Sequence, residues 1–244
     1  MRLDDLEVTA VNSGHMLGSA QYLVNLPEET VLYSGDVNCV DTLTTKAAEQ
    51  LECDTLILEA TYGSQNYCFP DRPKIYARII EWAVGKIKSG LTPCFHVYSA
   101  GKAQELVRLF NLYMTVPVYC DAAVGRVNDV YLRSQKLAWE EMRGQTPKPP
   151  AVIVTVPSTV RTGRIAPATA TGWALRVPSR TMTSFPLSSH ADFDQLVEYA
   201  RATRAKKVYF FTGFTEEIAS YLRRRFGLKA SPLPSLKQRR LSEF

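Results

Sequence analysis

Apolar residues along the chain form short continuous runs that alternate with stretches of helical spacing, a pattern typical of α/β proteins. The first sixty residues predict three short strands. They also predict a fourth strand buried on both faces, because its apolar residues follow one another without alternation. These strands are predicted near Glu7–Val11, Gln21–Leu26, Thr30–Tyr33 and Thr55–Ala60.

The middle of the chain repeats an order of strand, loop and helix, which predicts parallel strands joined by crossover helices. Helices are predicted over Pro73–Lys88, after Lys102, and over Val124–Leu137. The strands that accompany them are predicted at Thr92–Val97, Val116–Cys120 and Ala151–Val156, and residues 145–150 form a proline-rich loop.

The last part of the chain carries clear helix boundary signals. Asp192 and Gln195 have the spacing of a capping box for a helix that runs to Ala202. Thr215 is predicted to cap a second helix, which ends at Gly227. Strands are predicted at Met182–Phe185 and Lys207–Phe211.

Composition narrows the class of protein. Hydrophobic residues make up 45% and charged residues 22% of the 244 positions, which is ordinary for a soluble globular protein. No apolar stretch approaches the roughly 20 residues that a membrane span needs, and the first residues do not resemble a signal peptide, so a cytoplasmic protein is expected. The five cysteines are scattered without a C-x-x-C pair, which favours small buried side chains over a zinc ribbon or a disulfide framework.

Charge is distributed unevenly along the chain, whose net charge is +5. Residues 1–60 hold two basic and eleven acidic side chains, whereas residues 201–240 hold eleven basic ones, among them Arg223, Arg224, Arg225, Arg239 and Arg240. A basic face of this kind suits a polyanion such as nucleic acid. A solvated helix followed by a loose tail explains the same charges equally well.

Three short stretches carry side chains that can bind a metal. His15, Asp36 and His190 each lie in a loop of small residues directly beside a predicted strand, where a rigid sheet can hold a metal centre to tight geometry. Imidazole and carboxylate suit zinc, and a carboxylate can bridge two ions. Each stretch alone also fits an ordinary loop.

The order of these stretches resembles the β-CASP family of metallo-β-lactamase-fold nucleases. Gly14–Ala20 and Ser34–Asn38 are similar to the third and fourth metal motifs of the fold, and Leu58–Gly63 and Phe185–Leu196 to motifs A and B of the β-CASP branch. Further stretches resemble archaeal members related to messenger-RNA 3′-end processing factors and DNA-repair exonucleases, namely Tyr98–Leu106, Val127–Tyr131 and Ala170–Leu175.

The resemblance implies a role for each matched residue. His15 would bind the first of two zinc ions, Asp36 would bridge both, and His190 would bind the second. Glu59 would be the carboxylate of motif A, close to the centre and orienting a neighbour. Ser99 and Lys102, where a helix begins, could bind a backbone phosphate, and a plain helix start fits the same residues.

Two departures from the family pattern bear on activity. The family's H-x-H-x-D-H segment belongs upstream of His15, and the three histidines of this sequence cannot replace it. Each of two ions would then have at most two protein ligands. Thr212 stands where motif C normally has a histidine, and a threonine hydroxyl cannot shuttle protons near neutral pH as imidazole does.

The expected fold is therefore α/β: a partial αββα metallo-β-lactamase sandwich (residues 1–61 and 174–244) with an inserted β-CASP domain (residues 62–173). Half of the sandwich is expected to be missing, so a second polypeptide, a homo-oligomer partner or upstream sequence should cover an exposed apolar face. Two functions remain open. The chain is one part of a zinc-dependent nuclease acting on RNA or DNA, or a non-catalytic relative that binds nucleic acid or serves as a scaffold.

Overall fold

Two β-sheets organise the computed structural model, which describes residues 2–3, 6–132, 136–144, 146–157 and 163–234. The first sheet pairs its early strands antiparallel and its later strands in parallel. In spatial order its strands are β1 (Arg2–Leu3), β2 (Leu6–Asn12), β3 (Ala20–Asn25), β4 (Thr30–Tyr33), β5 (Thr55–Glu59), β12 (Lys207–Phe211) and β13 (Lys229–Pro232).

The second sheet is parallel throughout its described strands, as the rhythm of the middle segment predicts. Its strands in spatial order are β11 (Thr183–Phe185), β10 (Ile165–Ala170), β6 (Thr92–His96), β9 (Val152–Thr155), β7 (Val118–Cys120) and β8 (Glu140–Glu141). The helices are α1 (Arg72–Lys88), α2 (Lys102–Tyr113), α3 (Ala122–Tyr131), α4 (Phe193–Ala202) and α5 (Thr215–Phe226).

Each sheet has its own apolar core. In α1 the buried residues recur at a spacing of four, which places Ile75, Ile79 and Ala83 on one face of the helix and against the second sheet. Leu56 and Leu58 of β5 pack with α4 and α5 on one face of the first sheet. The α/β architecture predicted from the sequence is confirmed.

The other face of the first sheet carries apolar side chains that solvent reaches. Cross-strand pairing places Tyr22, Tyr33, Ile57 and Tyr209 in one row across β3, β4, β5 and β12. Tyr22 and Tyr33 are 43% and 40% exposed, and Ile57 and Tyr209 are half-buried. We call this row the tyrosine face.

Several predicted boundaries are corrected by the structure. Thr215 does not cap α5: the cap position is Phe214, and Thr215 is the first helical residue. The capping box of Asp192 and Gln195 and the left-handed stop at Gly227 are confirmed. The helix predicted to reach Leu137 ends at Tyr131, and residues 133–135, 145 and 239–240 of the predicted helix, loop and basic tail lie outside the described residues.

The predicted domain boundary after residue 173 stays a prediction, and the structure shows how the residues that follow it pair. β11 pairs with β10 in the second sheet, and Phe185 and Leu187 belong to the core of that sheet. Residues 183–187 therefore pack with the second sheet, and the loop that carries His190 follows them. None of the described helices has the length and apolar character required to cross a bilayer.

Candidate metal centre

The loop that carries His15 is folded tightly against the loop that carries Asp36. Gly14 has a φ of 75°, and a Cβ atom at this position would lie 2.3 Å from the carbonyl oxygen of Asn38, so only glycine permits the approach. Gly14 and Val37 form an isolated antiparallel bridge. His15 and Asp36 are thereby brought together, with His15 Nε2 3.8 Å from Asp36 Oδ2.

His190 reaches the same point from the other side. Its loop is fixed to the Asp36 loop by a hydrogen bond of 2.7 Å from the amide of Ala191 to the carbonyl of Val37. Its ring lies 4.6 Å from that of His15, measured between centroids. The candidate ligand atoms of His15, Asp36 and His190 all lie within 4.8 Å of one another.

The hydrogen bonds of both histidines leave Nε2 available as a metal ligand. His15 Nδ1 lies 2.9 Å from the carbonyl oxygen of Ser189, which can only accept, so Nδ1 carries the proton. His190 Nδ1 lies 2.9 Å and 3.0 Å from the two carboxylate oxygens of Glu59. Metal-binding histidines commonly have this arrangement, with one ring nitrogen donating to a carbonyl or carboxylate.

Glu59 is fully buried and joins the two halves of the site. It lies at the end of β5, and its Oε1 accepts a 2.6 Å hydrogen bond from the amide of Val37 while Oε2 accepts one from the Thr61 hydroxyl. One carboxylate thus fixes both the ring of His190 and the backbone beside Asp36.

Electrostatics favour a neutral imidazole at His15. Burial, followed by the proximity of His190, lowers the pKa of His15, against the opposing effects of Ser189, Asp36 and Glu59. A lowered pKa keeps Nε2 unprotonated at neutral pH, which is the state a metal requires. Two imidazoles and one carboxylate suit zinc, and together they could supply three ligands to a single ion. The sequence-based expectation of at most two protein ligands for each ion assumed that the three side chains are shared between two ions. In the structure all three lie close enough together to bind the same ion.

Side chains of α1, α2 and α3 hold both histidine loops. The guanidinium of Arg72 donates to the carbonyl of Ser188 at 2.5 Å and pairs with the buried Glu105. Lys102 Nζ donates to the carbonyl of Leu187 at 2.9 Å. On the opposite side, the hydroxyl of Tyr131 accepts a 3.0 Å hydrogen bond from the amide of Leu17.

Ser99 and Lys102 line the same cavity as His15 and His190. Lys102 is almost completely buried, however, and its ammonium group already contacts a backbone carbonyl. Burial lowers the pKa of Lys102 to about 8, although Glu105 counteracts this effect. In the structure Lys102 supports the His190 loop, and a phosphate contact from it stays a prediction.

Thr212 follows β12 in a loop that folds back onto the residues after Glu59. The amide of Phe214 donates to the carbonyl of Ala60 at 2.8 Å, and a Cβ at Gly213 would lie 2.0 Å from that carbonyl. Thr212 is exposed and has a φ of 57°, a left-handed conformation that is unusual for a β-branched residue.

The structure does not bring Arg223 and Arg224 to the histidine cluster. Arg223 donates to the carbonyl of Ala230 and pairs with Glu216. Ala230 lies level with Val208 near the start of β12, whereas Glu59 lies level with Phe211 at the end of that strand. The basic turn of α5 is therefore displaced by about 10 Å along the sheet from the site, at ~3.3 Å per residue.

Sequence reasoning assigned no role to several residues that touch the site. Arg72 and Glu105 had no signal beyond their charge, because only the folded chain places them against the His190 loop. Tyr98, Tyr131 and Trp173 fall within stretches that resemble the family, and this resemblance is the sequence feature that could have indicated a role for them.

Comparisons with known proteins bear on the identity of this site. No family model matches the chain. It is 28% identical to a probable DNA ligase of Opitutus terrae over 93% of this chain and 23% of that protein. It is 31% identical to an RNase J-like protein of Methanocaldococcus jannaschii (53% of this chain, 32% of the relative) and 30% identical to cleavage and polyadenylation specificity factor subunit 3 of Dictyostelium discoideum (50% and 16%).

The chain spans between 16% and 32% of the length of these three relatives. A crystal structure of a protein of unknown function from Enterococcus faecalis shares the fold, with a TM-score of 0.62 over 88% of this chain and 60% of the other, at 10% identity. The sequence relatives, which match about half of the chain, are β-CASP nucleases of the metallo-β-lactamase fold, and this confirms the predicted resemblance.

Proposed function

We propose that the chain is one part of a zinc-dependent phosphodiester hydrolase that acts on RNA or DNA. The observation that carries this proposal is the convergence of His15, Asp36 and His190 within 4.8 Å, at the ends of strands and beside a cavity. The names of the relatives, which include RNases and a cleavage factor, support hydrolysis of nucleic acid.

Each residue of the site contributes a distinct function. His15 and His190 present Nε2 to the metal, Asp36 supplies the carboxylate, and Glu59 holds the ring of His190 in place. Zinc, when bound, supplies a Lewis acid that lowers the pKa of a water molecule and offsets the charge that develops on the phosphate. Thr212 cannot act as a proton shuttle, so Thr212→His should leave activity unchanged or raise it.

A second zinc ion requires ligands that these three residues do not supply, and we propose that a polypeptide with an H-x-H-x-D-H segment provides them. The tyrosine face supports this proposal, because apolar side chains such as Tyr22 and Tyr33 stay exposed where a covering layer would bury them. This polypeptide would come from a separate gene or from sequence continuous with this chain, because a second copy of this chain does not carry the segment.

The relatives differ in the polymer that their names indicate. The relative that matches 93% of this chain is named as a probable DNA ligase, which favours DNA. The relatives named as RNases match over about half of the chain and favour RNA. Both polymers therefore belong in the assay.

The test is reconstitution of the site. This chain, combined with a polypeptide that carries H-x-H-x-D-H, should bind it and cleave an oligonucleotide only when zinc is present. Asp36→Ala should abolish cleavage, because it removes a ligand, whereas Asp41→Ala, which removes an exposed carboxylate, should not. A well-folded complex that binds two zinc ions and cuts neither RNA nor DNA contradicts the proposal and leaves the non-catalytic scaffold.

A further inference from the structure

A cavity of about 440 Å³ opens directly beside the two histidines. Its wall has two kinds of surface: polar groups around His15 and His190, and the aromatic side chains of Tyr62, Tyr98 and Trp173. Its size lies within the range of small-ligand sites, which are commonly apolar with a few placed polar groups. The metal ligands explain the polar part of the wall and leave the aromatic part unexplained.

Trp173 is exposed on one side and rigidly supported on the other. It is 41% exposed, yet its ring lies 4.8 Å from that of Tyr62, 5.3 Å from that of Tyr67 and 6.2 Å from that of Phe214, between centroids. A Cβ at Gly172 would lie 2.6 Å from the ring of Tyr62, so glycine is what permits this packing. The indole is held in one orientation while part of its surface remains open.

Tyr98 reaches the cavity from a different segment, the loop between β6 and α2. It is 78% exposed, more than any other large hydrophobic side chain among the described residues. The loop itself is fixed, because Gln104 donates to the carbonyl of Ser99 at 2.9 Å and to the side chain of Asn128 at 2.9 Å. An ordered backbone therefore carries an aromatic ring that buries little of its own surface.

We infer that Tyr98 and Trp173 form a stacking site for an unpaired nucleobase next to the metal centre. Rigid aromatic rings bind bases through their faces, and every base offers such a face, so the site should tolerate different bases. A base that lies against these rings cannot remain stacked in a duplex, which makes the substrate a single strand or a frayed end. This inference rests on the proposed function for the polymer class and adds the state of the strand.

The test separates stacking from phosphate binding and from cleavage. The full chain carrying Asp36→Ala, which removes a metal ligand, is titrated with a fluorescent single-stranded oligonucleotide and with an abasic strand of equal length and charge. The abasic strand should bind at least about fivefold more weakly, because stacking on an aromatic ring strengthens binding by roughly 5- to 150-fold per base.

Variants then assign the effect to the two rings. Trp173→Ala and Tyr98→Ala should each weaken binding of the normal strand at least about fivefold while leaving the abasic strand unchanged, and Trp173→Phe should restore part of the loss. Tyr113→Ala removes another exposed ring, on α2 outside the cavity, and should have no effect.

Equal binding of the two strands, or alanine variants that bind both as before, overturns the stacking site. Variants that instead weaken association with a covering polypeptide also overturn it, because the rings would then be an interface between proteins. Since no cleavage is measured, a failed stacking site is distinguishable from a failed nuclease.

Discussion

Glu59 joins three parts of the site through its carboxylate. It accepts from the amide of Val37, from the Thr61 hydroxyl and from the ring of His190, and it is completely buried. The contact with Val37 shapes the loop of Asp36, and the contact with His190 orients a proposed metal ligand. A change of charge at this one position should therefore affect metal binding more than it affects folding.

Glu59→Gln should weaken zinc binding by roughly 10- to 100-fold, which is the usual effect of altering the hydrogen-bond partner of a metal-binding histidine. An amide keeps the volume of the side chain but no longer attracts the N–H of His190 as a carboxylate does. Competition with a zinc chelator measures the affinity, and Glu198→Gln on the exposed side of α4 is the control. Equal affinities of the two variants would contradict this role.

Thr212, which stands where the resemblance predicts a histidine, has a strained backbone. Its φ of 57° costs about 1–3 kcal/mol for a residue other than glycine, and asparagine adopts this conformation more readily than threonine. Thr212→Asn should raise the free energy of unfolding by about 1 kcal/mol, measured by urea denaturation. Thr212→Val keeps the branched Cβ and should not raise the free energy of unfolding. An increase of the same size in Thr212→Val would show that backbone strain is not the cause.

At the scale of elements, α1 and α2 form the platform on which the His190 loop lies. Arg72 and Lys102 both donate to carbonyls of this loop, while a single buried carboxylate, Glu105, faces the two cations. One of the two positive charges is therefore poorly compensated. Burial lowers the pKa of Lys102, so this lysine is the one that releases its proton first.

The lowered pKa predicts a pH dependence of stability. Between about 8, the folded value for Lys102, and 10.5, its ordinary value, the unfolded chain binds the proton and the folded chain does not. Stability from this group therefore rises with pH in that window. Urea denaturation in metal-free buffer should show the stability of the protein, relative to Lys102→Met, rising from pH 8 to 10. The control is Lys88→Met, which changes an exposed lysine of α1: the difference in free energy of unfolding between the protein and this variant should not change with pH. If the difference for Lys102→Met is also constant between pH 8 and 10, the prediction is wrong.

Much of the element order could be predicted from the sequence, because buried strands and capped helices have local signals. The run over Thr55–Glu59 and the box of Asp192 and Gln195 are examples. β10 was missed because it contains Pro167 and three alanines, which disfavour a strand, and because its pairing with β6 and β11 joins segments that are distant in sequence.

The candidate site could be predicted only in part, because some of its residues have local sequence signals and others do not. His15, Asp36 and His190 lie in short motifs that fit ordinary loops when taken singly, and it is the order of these motifs along the chain that resembles the family. The contribution of Arg72, Glu105 and Tyr131 could not be predicted, because it depends on contacts of helices α1, α2 and α3 with loops that are far away in sequence. The roles of Arg223 and Arg224 were inferred from charge, which carries no information on where a helix end lies.

At the scale of the whole molecule, the ligand count predicts the metal content. His15, Asp36 and His190 can give one ion three protein ligands, and catalytic zinc normally has at least that many. Protein purified without added zinc should therefore hold at most one ion per chain, measured by elemental analysis. His190→Ala should reduce that content further, whereas replacing His96, which lies in β6 beside Cys94, should not. Two tightly bound ions per chain would contradict the ligand assignment.

The pairing of β5 with β12 also sets an order of events during synthesis. Asp54 and Lys206 meet across this pair although 152 positions separate them, so the first sheet stays incomplete until the ribosome has made almost the whole chain. The second sheet uses strands between Thr92 and Phe185 and has its own core. Long-range pairing is slow because the intervening chain must first be closed into a loop. In pulse-labelled hydrogen exchange during refolding, the amides of β6 and β9 should become protected before those of β5, and the histidine cluster should form last.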